Sequence, residues 1–255
     1  MTATLPPQLR TVSFAALDGG VWGAALDGGA RFMTLGTPAG VGSLVGRESV
    51  DWRDENGVWR QAGDGFELLI TPADAPAAES EAVPDGGRSA DATGHQLCHV
   101  QGSYTLGGAE YAVDCTGARA TRDRGTDREG FDSVRVISAL FEGDQALTLL
   151  ACRPPGARGH EHDLITAAVC EKGSCVPVSD PRLSTTYTSD GLPARVSLEL
   201  WLGEGEGQHL RRAAGEATAP AAAVEAAGLE ARVVACRWHS RGLEGRGVYL
   251  LARYR

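Results

Sequence analysis

Residues 104–130 read YTLGGAEYAVDCTGARATRDRGTDREG, and their reading decides the fold. A strand runs up to Leu106, turns at Gly107-Gly108, and returns through Tyr111, Val113 and Cys115, because a Gly-Gly pair supplies the positive φ angles of a two-residue hairpin turn. The apolar pattern breaks at Gly117 and gives way to an Arg/Asp-rich segment. An apolar hairpin running into a charged loop is what the mouth of an antiparallel barrel carries, with reactive groups on loops held by rigid strands.

Upstream, the string AALDGG occurs at 15–20 and again at 24–29. Each copy ends a strand in an Asp-Gly turn, which predicts a three-stranded meander over 11–36. Trp52 and Trp59 flank Asp54-Glu55-Asn56-Gly57, another hairpin. Residues 71–94 are Pro-, Ala-, Asp-, Ser- and Gly-rich without periodicity. They predict a linker or long loop at 72–94 between an N-terminal β domain (1–71) and a C-terminal barrel domain (95–255).

Downstream, 131–141 and 146–152 form a hairpin around Glu142-Gly143-Asp144, and 163–170 and 175–178 another around 171–174. Residues 195–202 alternate cleanly, with Val196, Leu198, Leu200 and Leu202 on one face and Trp201 on the other. Residues 232–239 and 247–254 make a closing hairpin. Short polar turns between successive strands predict antiparallel sheets that curl on themselves. The Ala-rich segment 211–228 is open to two readings, a helix after Pro220 by propensity or a strand by tertiary context.

Composition narrows the function classes. A 255-residue chain that is 42% hydrophobic and 22% charged is an ordinary folded protein, and its 34 glycines fit many tight turns. The net charge of −9, with no basic run, argues against nucleic acid and anionic membrane as partners; that Lys172 is the single lysine among many arginines reads as codon bias. The first ten residues lack the apolar core of a secretion signal, and no apolar run reaches the length of a membrane span, so a cytoplasmic location is expected. Reduced, buried thiols are the default for the six cysteines; Cys170 and Cys175 flank a turn and leave open a disulfide or half a metal site.

The second half carries a recognisable order: Gly117-Ala118-Arg119, then Thr186-Tyr187 with Asp190-Gly191-Leu192-Pro193, then Trp238, then Gly245-Arg246-Gly247. In that order, over about residues 97–255, it resembles the lipocalin-like superfamily of carotenoid 1,2-hydratases, AttH-like proteins and decalin-forming Diels–Alderases. The resemblance implies an all-β chain of two consecutive lipocalin-like antiparallel β-barrels or half-barrels, with an apolar cavity inside or between them. It also implies cofactor-free hydration, cyclisation or pericyclic closure of a terpenoid or polyene, as in secondary metabolism. The chain departs from the hydratases where their Arg is followed by an acid and His; here Arg119 is followed by Ala120, Thr121, Arg122 and Asp123. After the Gly-x-Gly, where an acid is common, stand Val248 and Tyr249.

Candidate catalytic residues are Arg119, Asp123 and Asp127, with Asp132 near them: an acid raised in pKa by apolar surroundings protonates an alkene, and Arg119 orients it or holds a polar ligand end. The plain alternative is a solvated loop with weak ion pairs. By the period of two, Arg119 continues the inward face of Tyr111, Val113 and Cys115. Trp52, Trp59, Tyr111, Tyr187, Trp201, Trp238 and Tyr249 are candidate ligand-binding residues, as well as ordinary core aromatics. His160-Glu161-His162 offers two histidines, but the glycine and glutamate spacing of a cupin is missing, so no metal and no cofactor are expected. A non-catalytic carrier of a lipid or isoprenoid uses the same cavity and is the alternative to an enzyme.

Overall fold

The computed structural model describes residues 8–28, 30–73, 93–123, 130–172, 174–203, 205–226 and 228–254. The first sheet is built from β1 (Gln8–Ala15), β2 (Trp22–Asp27), β3 (Arg31–Thr37), β4 (Gly40–Val45), β5 (Val50–Glu55), β6 (Val58–Gly63), β7 (Phe66–Pro72), β8 (Thr93–Leu106) and β9 (Ala109–Asp123). The second holds β10 (Ser133–Phe141), β11 (Gln145–Arg153), β12 (Leu164–Glu171), β13 (Ser174–Pro177), β14 (Asp180–Tyr187), β15 (Pro193–Leu202), β16 (His209–Ala226), β17 (Leu229–Ser240) and β18 (Leu243–Tyr254). Two 3-10 turns, His160–His162 and Gly205–Gly207, are the helical elements among the described residues, and none is long and apolar enough to cross a membrane.

The strand orders are β4-β3-β2-β1-β9-β8-β7-β6-β5 and β13-β12-β11-β10-β18-β17-β16-β15-β14. Adding nine to each label of the first gives the second. In each sheet the first strand lies beside the last, so a meander of four and a meander of five meet at the centre. The sheets form one nearly closed barrel and one half-barrel.

This topology sets the strands on either side of the low-complexity stretch in one sheet. The opening hairpin, β8–β9, belongs to the first sheet: β8 pairs with β7 as far as Pro72 opposite Cys98, and β9 pairs with β1. The low-complexity stretch joins two neighbouring strands of one sheet, a connection whose length is tolerated at little entropic expense. The sheets divide between β9 and β10. Nor does β9 end at Gly117. A Cβ there would lie 2.9 Å from Val100 Cγ2 and 3.0 Å from the Ser13 carbonyl, so this glycine lets three strands close up.

The segment 211–228 is a strand. β16 pairs on both sides, with β15 and β17, and absorbs Pro220 in a register shift between Thr218 and Ala221. Two neighbouring ladders outweigh a few tenths of a kcal/mol per residue of helix propensity. Cys170 and Cys175 sit opposite each other on β12 and β13 and are disulfide-bonded, one of the alternatives left open for that pair and a departure from the reduced default; Cys98, Cys115, Cys152 and Cys236 are free.

Alternation along the strands makes three apolar clusters. Val12, Phe14, Met33, Trp52, Trp59, Leu68 and Val100 line the inside of the first barrel. Ile137, Leu149, Leu198, Leu200, Trp238 and Tyr249 fill the second. The opposite faces of the central strands, with Leu9, Leu97, Val134, Val248 and Leu250, pack barrel against barrel. Within that seam His95 is buried, with Nδ1 at 2.9 Å from Thr148 Oγ1 and Nε2 at 3.1 Å from Thr166 Oγ1, tying β8 to β11 and β12. Burial, and then the charge of Arg122, lower its pKa to about 4.

Candidate functional site

Arg119 lies on β9 directly opposite Val12 of β1 and Gln96 of β8, and its side chain enters the first barrel as the period of two requires. Its Nε and Nη2 donate to Gln96 Oε1 at 2.9 and 2.6 Å, its Nη1 donates to the Gly57 carbonyl at 2.5 Å, and its guanidinium stands 4.7 Å from the centroid of a Trp59 ring. Those hydrogen-bond partners are neutral. Burial lowers its pKa, with Cys98 and Asp54 acting against the shift; a guanidinium stays charged even so. The aspartates expected as partners stand elsewhere. Asp123 accepts a hydrogen bond from Gln8 Nε2 at 2.8 Å on the surface, and Asp132 accepts from the Gly156 amide at 2.9 Å. Asp127 lies outside the described residues.

Trp52 and Trp59 share this interior, their rings 5.4 Å apart, with Trp59 Nε1 donating to Asp54 Oδ2 at 3.0 Å. Tyr111 stacks on Tyr104 at 5.6 Å, and the Tyr104 hydroxyl donates to the Gly36 carbonyl at 2.6 Å. At one end Asp27, 1% exposed, binds Arg10 at 2.6 Å and Arg31 at 3.3 Å. The second copy of AALDGG thus ends in a buried carboxylate, while the first ends in an exposed turn at Asp18.

Tyr187, Trp238 and Tyr249 belong to the other barrel. Tyr249 is buried, and its hydroxyl lies 3.2 Å from Tyr187 OH and receives a 3.4 Å bond from Thr185 Oγ1. Burial raises its pKa, followed by the neighbouring Tyr187. Trp238 is fully buried between Gly215 and Gly245, whose missing Cβ atoms make room for bulky rings. Trp201 turns to the outer face of β15, away from Leu198, Leu200 and Leu202. The predicted aromatics therefore divide between two barrels and an outer face and do not meet at one site. His162 is exposed, 3.8 Å from Glu161, and no cluster of metal-binding side chains occurs among the described residues.

A cleft of about 210 Å³ opens between the barrels. Its walls come from the β1–β2 turn (Ala15, Ala16, Val21, Trp22), from Pro38, from Thr218 at the irregularity of β16, and from Ala235, Cys236 and Gly247. Its charged groups are Asp18 and Arg246. Arg246 is half-buried, donates to the Leu17 carbonyl at 3.4 Å, and its guanidinium passes 3.6 Å from where a Cβ of Gly19 would be. Gly247 fixes this strand against β10: a Cβ there would fall 1.9 Å from the Ser138 carbonyl. The Gly-Arg-Gly motif thus presents one arginine to the seam between glycines that hold the strand close. Neither Asp18 nor Trp22 stood out in the sequence as a site residue; the only signal for Asp18 was the repeated AALDGG.

No protein-family model matches the chain, and no curated protein sequence does. Solved structures match along nearly its whole length. An AttH-like protein from Nitrosomonas europaea superposes with a TM-score of 0.61 at 13% identity, over 96% of this chain and 92% of that one. Kievitone hydratase from Nectria haematococca gives 0.58 at 9% identity, over 98% and 90%. CghA with Sch210972 gives 0.55 at 13%, over 98% and 89%. The fold is the lipocalin-like double barrel. Lipocalin-like barrels close a sheet around inward-facing side chains, and in this pair the cleft between the barrels is walled by both.

Proposed function

We propose that this lipocalin-like chain binds an apolar, terpenoid- or polyene-like small molecule in the cleft between its barrels and converts it there by hydration, cyclisation or pericyclic closure. The observation that carries the reading is the cleft's lining: apolar groups from both sheets with one charge of each sign at its edge. Arg246 holds or polarises a carbonyl or hydroxyl end, Asp18 takes or returns a proton, and Trp22 with Val21 and Ala235 confines the chain of the substrate in a reactive conformation. Confinement of this kind raises rate through lost rotational freedom and needs few polar groups. One structural neighbour is a hydratase by name and another was solved with a small molecule, which supports a barrel-based conversion.

The test is incubation with a panel of linear isoprenoid and polyketide polyenes, read by mass spectrometry. Gain of one water marks hydration, and an isomer of unchanged mass marks ring closure. Ala235→Phe, which narrows the cleft, and Arg246→Met should each lower product formation at least tenfold, about 1.4 kcal/mol, with thermal melting unchanged. Turnover indifferent to both variants would sink the reading. A second reading, a carrier, is favoured by one observation: Asp18 is exposed and Arg246 only half-buried, so the cleft-lining residues include no buried charged side chain. Saturable binding of the polyene with no product supports the carrier.

A further inference from the structure

Inside the first barrel, away from the cleft, polar groups stand in an apolar interior without protein partners. Gln61 is fully buried, and neither its Oε1 nor its Nε2 meets a hydrogen-bonding group of the protein; Trp52 is 4% exposed and its Nε1 likewise meets none. A buried amide left this way costs about 1–3 kcal/mol per unmade bond, so its retention calls for an occupant. The two residues are directly opposite on β5 and β6, and Trp59 follows on the same face of β6 two residues from Gln61. Arg119 covers the Trp59 ring, and Trp59 packs on Trp52, so one patch of wall gathers all four side chains.

The charge and donor count decides what fits. Arg119 commits three N–H groups to neutral acceptors, of the five a guanidinium carries. Arg10 and Arg31 share the single buried carboxylate of Asp27. Trp52 Nε1 adds one free donor, Arg31 Nε one and the Gln61 amide two, against two free acceptors, Gln61 Oε1 and Asp27 Oδ1. Asp54 adds one carboxylate at this end, already bound to the Trp59 N–H and the Gly57 amide. Donors and positive charge remain in excess, beside two indoles that each carry a guanidinium on one face, Arg10 on Trp52 and Arg119 on Trp59.

We propose that the first barrel holds a second ligand site, for a small carboxylate with a flat apolar body: the carboxylate sits against Arg119 and the Trp52 N–H, Gln61 completes its hydrogen bonds, and the body lies on the indoles. Asp54 acts on Arg119 through its charge, while the hydrogen bonds of the guanidinium go to Gln96 and Gly57, so a ligand carboxylate supplies the charged acceptor, through charge-assisted bonds about twice as strong as neutral ones. The site is on the opposite face of the first sheet from the cleft and does not depend on the cleft's function.

The test is titration of the whole protein with benzoate and with cinnamate, followed by calorimetry and tryptophan fluorescence, with benzamide as the uncharged comparison. Saturable carboxylate binding is expected, at least tenfold tighter than benzamide. It should weaken at least tenfold in Arg119→Met and also weaken in Gln61→Leu, and stay unchanged in Arg246→Met. Thermal melting checks that each variant is folded. Gln61→Leu, which replaces the amide by an apolar group of similar size, should melt no lower than the parent. Absence of saturable binding, with ordered water on Gln61 in a crystal structure, would make the interior a hydration site and overturn the proposal. So would binding that survives Arg119→Met, or that is lost with Arg246→Met.

Discussion

In the first barrel the last strand turns Arg119 inward opposite Val12; in the second the last strand turns Tyr249 inward opposite Ile137. Two residues further along, the first strands carry Arg10 and Arg135, each bound to an aspartate that is 1% exposed and shared with another arginine: Asp27 with Arg31, and Asp163 with Arg153. The frames match in strand order and in a buried Arg–Asp–Arg group at the same end. The centres do not match. Tyr249 finds its partners in Thr185 and Tyr187 and packs among aliphatics, whereas Arg119 is surrounded by neutral acceptors, two indoles and an unsatisfied glutamine. A shared frame fixes where a side chain points; what fills the layer around it decides whether the centre is closed packing or a place for a ligand.

The aspartates give the strongest way to break the parallel. Asp27→Ala and Asp163→Ala should each destabilise by about 3–5 kcal/mol, because each removes the buried carboxylate that two arginines share. Chemical denaturation measures this, and the two losses should agree within about 2 kcal/mol. A large loss at one site and a negligible one at the other would show that the shared geometry is not a shared support.

The seam supplies the next test. His95 is neutral and buried between the barrels, and its folded pKa of about 4 lies below the ordinary value of 6.5. Between those values the unfolded chain binds the proton and the folded one does not, so stability is full above pH 6.5 and falls as pH drops toward 4. The loss attributable to this side chain is about 3 kcal/mol. Urea unfolding of the parent and of His95→Gln across that window should show the parent losing more, and parallel curves would remove His95 from the account.

The smallest effects separate the two centres. Tyr249→Phe should cost about 1 kcal/mol of stability by leaving Thr185 and Tyr187 without their shared hydroxyl. Arg119→Met should cost less than about 1 kcal/mol, since its acceptors lie at a half-exposed end where water can replace it. A larger stability loss for Arg119 than for Tyr249 would mean that Arg119 is a structural member of its barrel.

Local pattern made much of this legible. The Gly107-Gly108 turn, the Trp52/Trp59 hairpin and the alternation of Leu198, Leu200 and Leu202 depend on neighbours along the chain. So does the inward face of Arg119. The partners of Arg119 were not legible, because Gln96 and Gly57 reach it across strands 23 and 62 residues away. Asp123 is close in sequence and belongs to the surface. Asp18 and Asp27 sit in identical hexapeptides with opposite fates, because only the second lies on a face that another strand covers. The stretch at 72–94 shows a related limit: composition marks a break in periodicity, and only pairing shows that the strands on either side of it, β7 and β8, are neighbours in one sheet.

The meeting of first and last strand at the middle of each sheet has a consequence for synthesis. Thr11 bonds to Ala120, 109 residues away, so β1 leaves the ribosome long before its inner neighbour exists. At ordinary elongation rates that wait is roughly 5–20 s. Such non-local pairing slows folding and leaves a strand edge open to other chains. Once β9 arrives, the first barrel can close, but the face bearing Leu9 and Leu97 stays bare until β10 and β18 cover it. Nascent chains halted between the barrels are therefore the form of this protein with the greatest need of a chaperone.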